Sequence, residues 1–227
     1  MSQISLDAVS VSFGDRVALR DVSVVLDQRR IGVIGSNGSG KSTFARLLNG
    51  LVTPTTGSVR VHGLDPNRQA KELRQRVGFV FSNPDVQIVM PTVAEDVAFT
   101  LRGRGLTKPE ITERVAAALE RHGLSAHADA PAHSLSGGQK QLLALCAVTI
   151  GEPALIVADE PTALLDAANS RRIRSQLLDE LEQQLVLVTH DLKLAARCDV
   201  VLRFENGCLV EFGEPASVID RYEREYA

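Results

Sequence analysis

Residues 35–43 read Gly35-Ser36-Asn37-Gly38-Ser39-Gly40-Lys41-Ser42-Thr43, set between the apolar run Ile31 to Ile34 and the helical pattern Phe44, Leu47, Leu48 that stops at Gly50. Few features restrict a fold more. A short β-branched strand must turn through glycines directly into a helix, which is the opening unit of a parallel α/β sheet. Glycines let the backbone curl until successive N–H groups face one anion-sized concavity, and the following helix adds its positive end. An oxyanion such as phosphate fits there without side-chain charge. Lys41 is then placed to bridge the β- and γ-phosphates of a nucleotide, and the Ser42 hydroxyl to ligate Mg²⁺.

The rest of the chain repeats the α/β theme. Short apolar runs recur at Val22 to Leu26, Val77 to Phe81, Leu155 to Val157, Leu185 to Val188 and Val200 to Leu202, with helical patterns between them, and several read as strands buried on both faces. Leu155-Ile156-Val157-Ala158-Asp159-Glu160 delivers two carboxylates at a strand's C-terminal end, the edge where open α/β sheets bind ligands. Asp159 suits Mg²⁺ held through water, and Glu160 suits polarising a water for in-line attack on phosphorus. Without the glycine loop the pair would read as two solvated carboxylates at a strand end.

One region breaks the alternation. From Asn83 to Ile150 the periodicity is helical, which predicts an inserted helical subdomain at 83–150 in a single domain whose core is 1–82 and 151–227. Thr107, Pro109 and Glu110 predict a capped helix start, with Ile111, Val115, Ala118 and Leu119 on one face and Gly123 as its stop. A second, mostly apolar helix starts at Ser136, a third carries Ile173, Leu177 and Leu181, and Glu205-Asn206-Gly207 predicts a hairpin turn.

Composition narrows the function. With 25 Lys and Arg against 28 Asp and Glu, the formal charge is -3, which provides no global basic field for nucleic acid. The longest apolar stretch, Leu142 to Ile150, is about half the roughly 18–20 residues that span a bilayer. The start, MSQISLDAVS, lacks a signal-peptide pattern, so the chain is expected to stay in the cytoplasm. Cys146, Cys198 and Cys208 form no CxxC pair and read as small buried hydrophobes.

Leu135-Ser136-Gly137-Gly138-Gln139 opens the apolar helix, and with this motif the sequence resembles the ABC transporter ATPases over essentially its whole length. The resemblance implies a P-loop ATPase with a RecA-like core, an N-terminal antiparallel β subdomain and an inserted α-helical subdomain. It implies ATP and Mg²⁺ as ligands, held by Gly35 to Thr43, with Glu160 as general base, Lys41 on the phosphates and His190 of Thr189-His190-Asp191 as a switch contacting the γ-phosphate. Ser136, Gly137, Gly138 and Gln139 then face the γ-phosphate bound by a second copy, or by a homologous ATPase, in a head-to-tail dimer. Asp166, in Ala163-Leu164-Leu165-Asp166, matches the loop linking the two sites, and equally suits the cap of the helix that follows. Phe13 sits where the family places an adenine-stacking aromatic, although a core phenylalanine would read the same.

One position departs from the family. Where most members carry a glutamine that reaches Mg²⁺ and the lytic water, this chain has Ser82, whose hydroxyl can ligate Mg²⁺ at shorter reach. Within the family, Phe81-Ser82-Asn83-Pro84-Asp85-Val86-Gln87 and the stretch to Phe99 resemble the ATPases of energy-coupling factor importers, the biotin-dedicated kind more than the cobalt and nickel kind. That likeness implies a transmembrane coupling protein docking near Phe81–Phe99, with Ile88, Val89 and Met90 and the acidic Asp85, Glu95 and Asp96 meeting an apolar, basic helix. It also implies a membrane substrate-binding subunit contacted indirectly, and a peripheral place on the cytoplasmic face of the cell membrane. The competing class is a soluble ABC ATPase serving as an assembly scaffold.

Overall fold

A computed structural model describes residues 3–163 and 165–226. The chain divides into two compact units, Met1–Phe79 with Ala154–Glu160 and Glu180–Ala227, and Val80–Pro153 with Pro161–Asp179. The helical unit therefore takes in a segment beyond 83–150, because the helix after residue 166 packs on the Ser136 helix.

The first unit holds two sheets. One is antiparallel, in the order β2-β1-β4, made of β1 (Ile4–Phe13), β2 (Arg16–Leu26) and β4 (Thr56–Val61). The other, in the order β5-β6-β7-β3-β8-β9, takes β3 (Arg30–Ile34), β5 (Val77–Val80), β6 (Leu155–Asp159), β7 (Gln184–Val188), β8 (Val200–Glu205) and β9 (Cys208–Gly213). Strands β3, β6 and β7 are buried at every residue, as continuous apolar runs require when both faces are covered. Their parallel register, Arg30 opposite Leu185 and Leu155 opposite Gln184, brings the chain just beyond each strand to one edge. Gly35, Glu160 and Thr189 follow from that register.

Helices α1 (Lys41–Leu47), α2 (Ala70–Arg76), α7 (Leu192–Ala195) and α8 (Pro215–Tyr226) complete this unit. Val218 and Ile219 of α8 join Ile34, Val201 and Ala195 in one buried group, which anchors the C-terminal helix beside the central strand. The β8–β9 hairpin turns at Asn206 (φ 48°) and Gly207 (φ 82°), both in the left-handed region a tight hairpin turn needs.

The second unit contains α3 (Val93–Phe99), α4 (Lys108–Arg121), α5 (Gly137–Thr149) and α6 (Ala167–Ser175), the last continued by a π-helical turn over Gln176–Glu180. Thr92, Thr107 and Ser136 each form a capping box with the Glu or Gln three residues on. Gly123, at φ 61°, ends α4 as its position predicts. Cys146 and Cys198 are buried, and burial pushes both thiols up to about 12, so they stay protonated hydrophobes; Cys208 is half-buried.

Candidate active site

The loop after β3 is wedged into the first unit rather than free. A Cβ at Gly35 would meet the Phe204 carbonyl, and one at Gly40 would lie 2.7 Å from Leu19 Cδ2 and 2.8 Å from Ala18 O. The Gly207 N–H donates to Ser39 O at 3.0 Å, and the Arg20 N–H to Gly207 O at 2.8 Å. The β8–β9 turn and strand β2 thus clamp the loop from two sides. An open cavity of about 240 Å³ remains, lined by Arg16, Ala18, residues 37–43 and Glu160.

Lys41 Nζ donates to Gly35 O at 2.7 Å and Ser36 O at 2.8 Å, so the ammonium lies folded against its own loop. An ammonium has three donors, which leaves one for an incoming oxyanion. Burial lowers the Lys41 pKa, while the charges of Glu160 and Asp159 oppose that shift; an anion in the cavity would oppose it further. Ser42 Oγ donates to Asp159 Oδ1 at 3.1 Å. Burial raises the Asp159 pKa, against the Ser42 hydrogen bond and the charges of Arg46 and Lys41. A cation beside this carboxylate would favour its charged form.

Glu160 leaves β6 at φ 52°, a left-handed conformation uncommon outside glycine, while its N–H still bonds Val188 O at 2.9 Å. Its Oε2 lies 2.8 Å from Nδ1 of His190, which follows β7. Thr189 is held by its N–H on Val33 O at 3.0 Å. Phe13, at the end of β1, is 55% exposed, which rules out the core-phenylalanine reading.

The remaining residues singled out from sequence lie in the second unit. Ser136 caps α5, accepting from the Gln139 N–H at 3.3 Å, and Gln139 Oε1 accepts from the Ser136 N–H at 2.9 Å. Gln139 Nε2 pairs with His127 Nε2 at 2.9 Å, a partner sequence reasoning did not find. Ser136 and Gly137 are exposed; Gly138 is buried, and a Cβ there would run into the Asn169 side chain. Asp166 caps α6 through the Asn169 N–H at 2.8 Å and accepts from Asn169 Nδ2 at 2.9 Å. Leu164, within the run expected to link two sites, lies outside the described residues.

Ser82 is half-buried in a tethered segment. The Phe81 N–H donates to Gln87 Oε1 at 3.2 Å, Gln141 Nε2 donates to Phe81 O at 2.9 Å, and Gln87 Nε2 donates to Ala144 O at 3.3 Å. Of the three acidic residues expected to face a partner, Asp96 is buried and accepts the Val89 and Met90 N–H groups at 2.8 and 3.0 Å. Asp85 is exposed but paired with Lys140 at 2.7 Å, and Glu95 serves the α3 capping box. Exposed apolar area persists at Val86, Val89 and Phe99. No helix among the described residues is long and apolar enough to cross a membrane.

Arg16 and Ala18 were missed. Nothing in a lone arginine beside a hairpin turn marks it as lining a cavity formed by residues some twenty positions on.

Comparison with known proteins places this geometry in a family. The ABC transporter profile matches residues 19–163. The biotin transport ATP-binding protein of Rhizobium etli is 46% identical over 219 residues, covering 96% of this chain and 97% of that protein. An energy-coupling factor transporter ATP-binding protein of Symbiobacterium thermophilum is 43% identical over 217 residues, 92% of this chain and 75% of that protein. Among solved structures, cbiO1 from Clostridium perfringens, part of the ABC transporter complex cbiONQ, superposes with a TM-score of 0.85 at 31% identity, covering 97% of this chain and 92% of that one. The chain belongs to the ABC transporter family. It is an ABC ATPase, and its hydrolysis of ATP is coupled to transport.

Proposed function

We propose that the chain is the ATP-hydrolysing subunit of an energy-coupling factor importer that takes up biotin. The observation that carries the reading is the 46% identity to the Rhizobium etli biotin transport ATP-binding protein across nearly all of both chains. The similarity to the Symbiobacterium thermophilum energy-coupling factor protein and to cbiO1 supports the importer class. Exposed Val86, Val89 and Phe99 support a docking surface for a transmembrane coupling protein, on the cytoplasmic face of the cell membrane. That surface is more apolar than acidic, since Asp96 is buried and Asp85 is paired.

In the proposed reaction, backbone N–H groups of Gly38 to Ser42 and the Lys41 ammonium hold the phosphate chain, and exposed Phe13 stacks on adenine. Ser42 Oγ and Asp159 Oδ1, 3.1 Å apart, are hard oxygen donors that would hold Mg²⁺. When bound there, the ion would supply charge neutralisation for the phosphate chain. Glu160 accepts the proton of the attacking water as its oxygen bonds the γ-phosphorus and the bond to the β-phosphate oxygen breaks, giving ADP and phosphate. His190 holds the Glu160 carboxylate in line for that transfer. Two copies close head to tail, Ser136 to Gln139 of each facing the nucleotide of the other, and hydrolysis reopens them.

Affinity purification of the tagged chain from detergent-solubilised membranes tests the reading. A multi-span coupling protein and a small biotin-binding membrane protein should remain after a salt wash. Recovery with cytosolic partners alone would replace the importer with an assembly scaffold, leaving the ATPase intact.

A further inference from the structure

We propose that Arg16 is a second phosphate-binding cation of this site, reaching the nucleotide from the β1–β2 hairpin opposite the glycine loop. The inference rests on the ATPase reading above and adds a residue to it.

Three observations carry it. Arg16 lines the same cavity as Asn37 to Thr43 and Glu160. Among the described residues, no hydrogen bond or ion pair reaches its exposed guanidinium. Arg16 is also the cross-strand partner of Phe13, across a two-residue turn in which Gly14 adopts φ 58°. Directly opposed residues of an antiparallel pair project to the same face of the sheet. One face of this hairpin therefore presents a 55% exposed aromatic ring beside an unpaired guanidinium.

Charge decides what belongs there. Two cations, Arg16 and Lys41, line the cavity against one carboxylate, Glu160. Lys41 is partly satisfied by the Gly35 and Ser36 carbonyls, whereas Arg16 is not. A ligand with an aromatic base and a polyanionic chain satisfies ring and guanidinium together, and the planar guanidinium fork matches phosphate oxygens in pairs. Neither partner of the hairpin pair is buried, so Arg16 has no packing role that would otherwise fix it.

The test is a charge series in the full chain. ATP is titrated calorimetrically into wild type, Arg16→Lys, Arg16→Ala and Arg16→Glu, at low and high KCl, and steady-state hydrolysis is measured for each. Affinity should fall least in the Lys variant, which keeps the charge but loses the paired fork, fall about tenfold in the Ala variant, equal to about 1.4 kcal/mol, and fall further in the Glu variant. The spread should narrow at high KCl, because the group is exposed and screened. In hydrolysis the loss should appear in KM, with kcat kept at saturating ATP. Equal ATP affinity across the series would overturn the inference. A loss of the same size in all three variants, independent of charge and salt, would also overturn it, by making Arg16 a support for the hairpin. Wild-type protein that binds no ATP would instead sink the ATPase reading itself.

Discussion

Nδ1 of His190 lies 2.8 Å from Oε2 of Glu160, joining the ends of two adjacent parallel strands, β7 and β6. The histidine side chain is 68% exposed, so this pair adds little to stability. The contact instead fixes one carboxylate, whose backbone already occupies the strained φ of 52°. His190→Ala should keep ATP binding and a normal melting temperature while hydrolysis falls by about 10²-fold, the range of a lost proton-transfer aid. Single-turnover hydrolysis beside a binding titration checks this, and unchanged turnover would remove His190 from the mechanism.

Gly138 is buried where a Cβ would overlap the Asn169 side chain, 2.8 Å from its Cβ and closer to its amide. Asn169 is in turn held by Asp166 at 2.9 Å, so the start of α5 and the cap of α6 are one contact. Gly138→Ala should displace Asn169 and cost about 1–3 kcal/mol, as overpacking does. Hydrolysis should fall while nucleotide binding by the separate glycine loop persists, and Gly138→Ala with Asn169→Ala should recover part of both losses. A thermal melt and an ATPase assay on the single and double variants decide it.

Ser82 stands in a segment whose neighbour Phe81 is tied to Gln87 and Gln141, so the backbone at this position is already set. Ser82→Gln should leave ATP affinity within about twofold and change turnover, since a longer amide reaches what a hydroxyl cannot. The same rate in both proteins would show that the side chain at 82 takes no part.

Buried His122 pairs with Gln176 and Thr149, each at 3.1 Å, and burial drives its pKa down to about 4, with the Gln176 hydrogen bond opposing. The folded state therefore binds this proton less readily than the unfolded chain, whose histidine titrates at 6.5. Stability from this group is complete above pH 6.5 and is lost as pH falls toward 4, by at most about 3 kcal/mol. Melting temperature followed across that window should drop more steeply for wild type than for His122→Gln, and parallel curves would contradict the assignment.

The sequence was most legible where one local rule suffices. Apolar runs at Ile31, Leu155 and Leu185 announce strands buried on both faces, and Thr107 and Ser136 announce their helices through reciprocal caps. Other features depend on tertiary closure. Strand β1 changes register around Ala8, which sits at φ 47°, so its alternation is broken and only the family likeness suggested a separate antiparallel sheet. Asp96 reads as a surface charge, yet it is buried because two loop N–H groups need an acceptor. Periodicity finds the helix after Asp166 but cannot name the helix it packs against. Arg16 carries no motif at all, and only the closed hairpin beside the loop brings it to the cavity.

The central claim, that ATP holds two copies together and hydrolysis by Glu160 releases them, has one direct test. Glu160→Gln is sedimented with saturating Mg²⁺ and ATP, where slow hydrolysis preserves the nucleotide. A stable dimer that reverts to monomer when ATP is withdrawn is the predicted result. A monomer under saturating ATP would contradict the account.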